Sequence, residues 1–147
     1  MIKKTEDQGV QSRRLAILMK EAEIVQGIIK RKSNHSFLIK GWTVSLIVAT
    51  LILQGQKPHI LIAFIPLLAF WFLDAHYLQR IRRYKVLYKW DIENRLKTDD
   101  YMFDININDR FGKSVASRPK LMLSEKLLWF YGSLFVLTVI YYCVAVK

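Results

Sequence analysis

The chain has 147 residues, of which 52% are hydrophobic and 24% are charged, and its formal net charge is +11. A soluble basic protein, such as a nucleic-acid-binding domain, would mix its cations along a folded surface. In this chain the apolar residues form three runs and the cations flank them, the pattern of a membrane protein. The single cysteine, Cys143, excludes an intrachain disulfide and a zinc site built from cysteines.

Residues 12–32 are predicted to form an amphipathic helix. Apolar side chains recur there at steps of three and four residues, the spacing of a heptad seam: Leu15, Leu18, Ala22, Val25 and Ile29. Such a stripe is buried against a partner helix, as in a coiled coil, or against a membrane surface. We assign residues 1–36 to this N-terminal segment.

Three apolar runs approach the length of about 20 residues that crosses a bilayer: 37–53, 60–78 and 127–146. The first two are joined by six polar residues that include Gly55 and Pro58, which predict a tight turn. Pro66 lies inside the second run, where a proline either kinks a helix or is accommodated as a bend.

Lysines and arginines alternate along the chain. Nine lie in residues 1–40, one in 54–59, twelve in 80–126 and one at the C-terminus. Three spans with cytoplasmic cations produce this alternation. We therefore expect a multi-pass protein of the cell inner membrane with a cytoplasmic N-terminus. Its predicted parts after the N-terminal segment are a transmembrane hairpin, a cytoplasmic stem with a loop, and a third transmembrane helix, over residues 37–79, 80–126 and 127–147.

The second apolar run passes without a turn signal into polar residues. Ile60 to Leu96 is therefore predicted to be one helix, whose second half forms a cytoplasmic stem. Tyr84 and Tyr88 recur there at helical spacing, and the N-terminal stripe is their natural partner. The same stripes could instead pair between subunits.

Residues 98–120 are predicted to be an acidic loop that ends at an elbow, Pro119. Asp104, Asn106 and Asn108 match part of a calcium-binding loop, but the required glycine and terminal glutamate are missing. No metal site is therefore predicted.

Asp74 is the sharpest candidate for chemistry, because ionisable groups within a span are costly and often functional. With His76 and Pro66 it forms a candidate pore or gating site. The functional alternatives for Asp74 are a proton relay, a pore-lining acid and a ligand contact. The structural alternative, which we favour, is an acid at the membrane border paired with Arg80, Lys40 or a tyrosine hydroxyl.

A basic cluster follows the second run: Arg80, Arg82, Arg83 and Lys85. Such residues bind anionic lipid headgroups, or they form a pocket for an anionic ligand such as a nucleotide. No phosphate-binding glycine loop, His-Glu-x-x-His motif or nucleophile elbow is present, so we predict neither an enzyme nor a cofactor.

Two segments, Ser36–Trp42 and Phe70–Leu78, resemble SLATT-type membrane effectors, small multi-pass proteins of bacterial anti-phage defence loci. The resemblance covers residues 15–95 best, and the third span departs from the two-span layout of that group. It implies a protein that oligomerises and breaches the inner membrane. The matching positions, which it marks as structural signature residues, are Lys40, Gly41, Trp42, Trp71, Asp74 and Tyr77.

The sequence thus predicts an all-α membrane protein with three transmembrane helices, an N-terminal amphipathic helix and a cytoplasmic extension of the second span. The expected function is that of a defence effector that homo-oligomerises and permeabilises or depolarises the membrane. Its trigger would be a cytoplasmic nucleotide or a protein of the defence system. The alternative is a membrane scaffold or regulatory subunit that recruits a cytoplasmic defence or signalling partner.

Overall fold

The computed structural model describes the backbone of residues 2–53 and 61–145, and the side chains of 8–52 and 62–144. These residues form five α-helices and no strand: α1 (Ile2–Leu53), α2 (Leu61–Asn94), α3 (Ile107–Phe111), α4 (Arg118–Met122) and α5 (Glu125–Ala145). The predicted turn at 54–59 lies outside the described residues.

The two long helices each join segments that the sequence distinguishes by polarity. The 52 residues of α1 contain no proline and include both the predicted amphipathic helix and the first apolar run. In α2, 34 residues long, the second apolar run continues without a break into the polar residues that follow it, as predicted. The helix ends at Asn94, whose carbonyl accepts turn hydrogen bonds from the N–H groups of Lys97 (2.8 Å) and Thr98 (3.1 Å).

The prediction of a continuous loop over 98–120 is wrong, since α3 and part of α4 lie within it. The Asp104-x-Asn106-x-Asn108 pattern forms local caps instead. The Asp104 carboxylate accepts a hydrogen bond from the Asn106 N–H, and the Asn106 side chain accepts one from the Asn108 N–H at the start of α3. Pro119 belongs to the first turn of α4, where its missing N–H removes no helical hydrogen bond.

The helices α1, α2 and α5 are each long and apolar enough to cross a membrane. Their outward faces carry large exposed apolar side chains, among them Phe37 (77% exposed), Ile65 (66%) and Trp129 (76%). Contiguous apolar surface of this kind is unfavourable in water and favourable against lipid.

The chain divides into two compact units. Unit 1 consists of Met1–Lys32 and Arg80–Val115. Its core is formed by one residue each of α1 and α2, Val25 and Leu87, together with Ile107 and Phe111 of α3. Partly buried side chains packed against this core include Ile29, Tyr84 and Tyr88.

The predicted heptad seam is buried only in part. Val25 is 2% exposed and Leu18 is half-buried, whereas Leu15 is 49% exposed. Glu21, which lies between Leu18 and Val25 on the same face of α1, is 5% exposed. The buried stripe of unit 1 is thus partly ionic, because Glu21 forms an ion pair with the buried side chain of Arg95.

Unit 2 consists of Ser33–Gln79 and Ala116–Lys147. Each of its long helical segments contributes buried apolar residues to the unit, such as Ile47 of α1, Leu67 of α2 and Leu127 of α5. Polar residues are buried among them: Thr43, Asp74, Gln79 and Thr138. Buried polar groups require hydrogen-bonding partners. Asp74 and its partners form the candidate site.

Candidate functional site

Asp74 lies at the centre of a polar cluster in unit 2. Its side chain is completely buried, and both carboxylate oxygens accept hydrogen bonds from α1. One oxygen accepts from the Ser36 hydroxyl, and the other pairs with the Lys40 ammonium. The Lys40 ammonium also donates to the Ser36 hydroxyl at 3.1 Å, so the three side chains form a closed triangle.

The fourth member of the cluster comes from α5. The buried Tyr131 hydroxyl lies 3.3 Å from the second Asp74 oxygen and 3.3 Å from the Phe70 carbonyl. The Tyr131 ring stacks on Trp71, with 5.7 Å between the ring centroids. The Trp71 indole in turn donates to the Met122 carbonyl at 3.0 Å. Asp74 is therefore bound by groups from both other candidate spans.

The Asp74 partners agree with the structural alternative stated for this residue, an acid paired with Lys40 and a tyrosine hydroxyl. Lys40 is half-buried, with 27% of its side chain exposed. A buried ion pair gains little net stability, but removing one partner alone leaves a costly unpaired charge. The cluster thus holds α1, α2 and α5 together through polar contacts.

The other two predicted gating residues lie elsewhere in unit 2. Pro66 lies five residues after the first residue of α2 and is half-buried. The imidazole of His76 is edge-on to the Tyr77 ring. The Tyr77 ring stacks on His35 of α1 at 5.7 Å. The hydrogen bonds to the Asp74 carboxylate come instead from Ser36, Lys40 and Tyr131.

The predicted lipid or ligand cations belong to unit 1 and do not form one cluster there. Arg82 and Lys85 are exposed, whereas Arg83 is half-buried and turned towards α3. The Arg83 guanidinium donates to the Asn108 side chain at 3.0 Å and to the Gly112 carbonyl at 3.2 Å. Arg80 is half-buried and engaged in contacts of its own. Arg82 and Lys85 therefore remain the members of the set that face outward.

Unit 1 contains a second buried ionic cluster, which the sequence analysis missed. The Arg95 side chain is completely buried and donates two hydrogen bonds to the Glu21 carboxylate, from Nε at 2.5 Å and from Nη2 at 2.8 Å. A sequence signal existed, because Glu21 interrupts an apolar stripe on α1 and Arg95 lies four residues after Asp91.

The Arg95 cluster also holds the segment after α2 in place. The guanidinium donates to the carbonyls of Asp100 (2.8 Å) and Tyr101 (3.2 Å), and Glu21 accepts from the Phe103 N–H at 2.7 Å. Tyr101 and Phe103 both have φ of 56°, in the left-handed region that non-glycine residues rarely adopt. The buried ion pair stabilises this strained backbone, which presents both aromatic side chains to the exterior.

Asp91 is the second acid beside Arg95, with 3.8 Å between its carboxylate and Nη2. It lies in unit 1, well beyond the end of the second apolar run at Leu78. Burial, and then the negative charge of Glu21, raise the pKa of Asp91 to about 6. Arg95 and Arg110 act in the opposite direction without offsetting this. Two carboxylates, those of Glu21 and Asp91, therefore share the single positive charge of the buried Arg95 guanidinium.

Arg110 of α3 is held by aromatic rings. Its guanidinium carbon lies 4.0 Å from the centroid of Tyr101, 4.3 Å from that of Trp90 and 5.0 Å from that of Phe111. These are cation–π distances. The contact ties α3 to the end of α2 and to the strained segment, so unit 1 has its own ordered architecture.

No group of three or more histidine, cysteine, aspartate or glutamate side chains in the described part of the chain is arranged to hold a metal ion. Comparisons with protein-family models, with curated proteins and with solved structures gave no match.

Proposed function

We propose that this protein is a multi-pass inner-membrane effector of anti-phage defence, with its N-terminus in the cytoplasm. It homo-oligomerises and permeabilises the membrane when a cytoplasmic trigger opens the Lys40–Asp74 pair. One observation carries the proposal: an acid within a candidate span is completely buried and bound by groups from two other candidate spans. The alternation of basic segments supports the orientation, and the resemblance to SLATT-type effectors supports the defence role.

The polar interior of unit 2 supports permeabilisation. Ser36, Lys40 and Thr43 follow one face of α1 at steps of four and three residues, and Tyr131 and Thr138 are buried on α5. In the resting arrangement these groups satisfy one another or the helix backbone. When the helices separate, the same groups are available to line an aqueous path between subunits.

The energetics of the pair suit a switch. Removing one partner of a buried ion pair costs about 3–5 kcal/mol, whereas replacing both by well-packed apolar residues is often neutral or stabilising. A trigger that separates Lys40 from Asp74 would therefore destabilise the closed arrangement strongly. The trigger we propose is a cytoplasmic nucleotide or a defence-system protein that meets unit 1.

Leakage from liposomes tests this proposal without knowledge of the trigger. The full chain is reconstituted into vesicles that contain a self-quenched dye, as wild type, as Asp74→Asn and as Lys40→Gln. Each single variant leaves one member of the pair without its counter-charge. We expect both to release dye roughly tenfold faster than the wild type.

The matched control keeps a pair but exchanges its ends, Lys40→Asp with Asp74→Lys. This double variant should leak at a rate close to that of the wild type. Circular dichroism and size-exclusion profiles establish that all variants are folded. If the folded single variants release dye no faster than the wild type, the effector proposal is wrong.

A second function, recruitment of a cytoplasmic partner, is favoured by one feature of unit 1. Tyr101 (57% exposed) and Phe103 (48% exposed) are presented on strained backbone that a buried ion pair stabilises. Strained residues of this kind are concentrated at functional sites, and exposed aromatic side chains are common anchors of protein interfaces. A scaffold would use this surface and leave the membrane sealed.

Affinity purification from membranes of the native host distinguishes the two functions. A scaffold predicts a stoichiometric partner that Tyr101→Ser with Phe103→Ser releases, together with no dye leakage from any Asp74 variant. For an effector, the Asp74 variants should leak. The two aromatic substitutions should change leakage only when the trigger is present. Leu96→Ser, at another exposed apolar residue of unit 1, is the control.

A further inference from the structure

The outward face of α5 carries an open groove. Its lining residues recur at steps of three and four along the helix: Glu125, Leu128, Trp129, Gly132, Ser133, Val136 and Leu137. Leu123, of the segment that precedes α5, completes the lining. A Cβ atom added at Gly132 would meet no other atom within 4 Å, so the groove is open above this residue. Trp129 (76% exposed) lies one turn before Gly132 and Val136 (53% exposed) one turn after it.

The lining of this groove suits a hydrocarbon chain. The one hydroxyl in the lining, that of Ser133, already donates to the Phe130 carbonyl at 2.8 Å. A second helix would approach a glycine closely only where its neighbours are also small. The neighbours of Gly132 one turn away along the groove are Leu128, Trp129 and Val136, all of them large. A flexible acyl chain therefore suits this surface better than another helix backbone does.

The first turn of α5 carries two opposite charges. Glu125 lines the groove, and Lys126 follows it at 100° around the helix, which places it near the edge formed by Ser133 and Leu137. Both side chains are exposed, and neither forms an ion pair with the side chains that the structure describes. An anion and a cation at the polar end of an apolar groove match a headgroup that contains a phosphate and an ammonium.

We propose that this groove binds one glycerophospholipid, with an acyl chain along α5, its phosphate at Lys126 and a primary ammonium at Glu125. The proposal rests on insertion of α5 into a bilayer, which is part of the proposed function. It adds a specific site to the general lipid contact that any span makes. Phosphatidylethanolamine carries both charged groups, whereas phosphatidylglycerol carries only the phosphate.

Native mass spectrometry of the full chain in mild detergent tests the proposal. The protein is depleted of lipid and then exposed separately to phosphatidylethanolamine and phosphatidylglycerol. We expect the wild type to retain one phosphatidylethanolamine per chain. Gly132→Leu fills the groove and should weaken retention roughly tenfold. Gly41→Leu is the matched control, since Gly41 is an exposed glycine in a candidate span with the same free space around it.

The headgroup is tested by two charge-neutral variants. Glu125→Gln should reduce retention of phosphatidylethanolamine to the level of phosphatidylglycerol, and Lys126→Gln should reduce both. If Gly132→Leu does not fold, Gly132→Ala takes its place and should give a smaller loss of lipid retention. Equal retention by Gly132→Leu, Gly41→Leu and the wild type would overturn the site.

Three further outcomes are decisive. If Gly132→Leu lowers the oligomer mass and leaves lipid retention unchanged, a second copy covers the groove and the lipid proposal is wrong. If retention follows the prediction but no Asp74 variant leaks, the lipid site stands and the effector proposal fails. If the chain can be extracted from membranes without detergent, the membrane insertion on which both rest is wrong.

Discussion

The buried guanidinium of Arg95 forms two hydrogen bonds with the carboxylate of Glu21, a residue 74 positions earlier in the chain. This pair joins the N-terminal part of α1 to the segment after α2, and it stabilises two residues in the left-handed region. Unit 1 is therefore held by this buried ion pair as well as by its apolar core.

Glu21→Gln should destabilise unit 1 by about 3 kcal/mol, because it leaves the Arg95 charge buried without its main partner. Hydrogen exchange of the amides of α3 in the detergent-solubilised protein measures the loss. Glu23→Gln is the control, since Glu23 is exposed on the same helix and pairs with Lys20 one turn away. Its effect should stay within about 0.5 kcal/mol. Equal effects of the two substitutions would contradict the structural role of Glu21.

The pKa of Asp91, raised from 3.8 to about 6, predicts how the stability of unit 1 depends on pH. Between these two values the folded state retains a proton that the unfolded state has lost. The contribution of Asp91 to stability therefore falls as the pH rises across this window, and it stays unfavourable above pH 6.

Asp91→Asn should accordingly stabilise unit 1 at pH 8 by on the order of 1–2 kcal/mol and have little effect at pH 4. Hydrogen exchange corrected for pH, or urea unfolding followed by Trp90 fluorescence, measures the difference. Glu93→Gln provides a control, because Glu93 is exposed and faces Lys89 across one helical turn. A pH profile that the Asp91 substitution leaves unchanged would refute the assignment.

Arg110→Gln should lower the stability of unit 1 by about 1–2 kcal/mol, because the cation–π contacts with Trp90 and Tyr101 are lost. The same change should shift the emission of Trp90, whose ring loses an adjacent charge. Lys113→Gln, at an exposed cation nearby in the sequence, should change neither quantity. An unaltered emission spectrum in Arg110→Gln would count against the contact.

Two glycines of unit 1 should respond to alanine in opposite directions. A Cβ at Gly112 would lie 2.4 Å from the Asn108 carbonyl oxygen, so Gly112→Ala must shift the backbone that accepts a bond from Arg83. A Cβ at Gly27 meets nothing within 4 Å, and alanine there should stabilise α1 by about 0.5–1 kcal/mol. Thermal unfolding of the two variants compares the signs, and stabilisation by Gly112→Ala would disprove the close approach.

Tyr131→Phe isolates the hydroxyl in the Asp74 cluster. It removes a hydroxyl whose one proton is shared between two acceptors at 3.3 Å, but it keeps the ring stacked on Trp71, so a loss of about 1 kcal/mol is expected. Dye leakage should rise less than in Asp74→Asn. Tyr142→Phe, at an exposed position of α5, should behave as the wild type. Leakage equal to that of Asp74→Asn would mean that the hydroxyl, not the ion pair, holds the helices together.

The sequence predicted the helical class and the three apolar helices because both depend on local periodicity and on run length. It also predicted that the second apolar run continues into a polar helix, which α2 confirms. It failed at 98–120, where Asn106 and Ser117 begin short helices whose five residues are too few for a periodic signal.

What the sequence determined by itself is the segregation of apolar and basic residues, since hydrophobic burial is non-directional and can be read from composition along the chain. It could offer Lys40, Arg80 or a tyrosine as partners for Asp74 without choosing among them. Only the tertiary structure decided that choice and the pairing of Glu21 with Arg95. An ion pair requires a distance of a few ångströms between specific atoms, and residues 34 or 74 positions apart reach that distance only through the packing of helices.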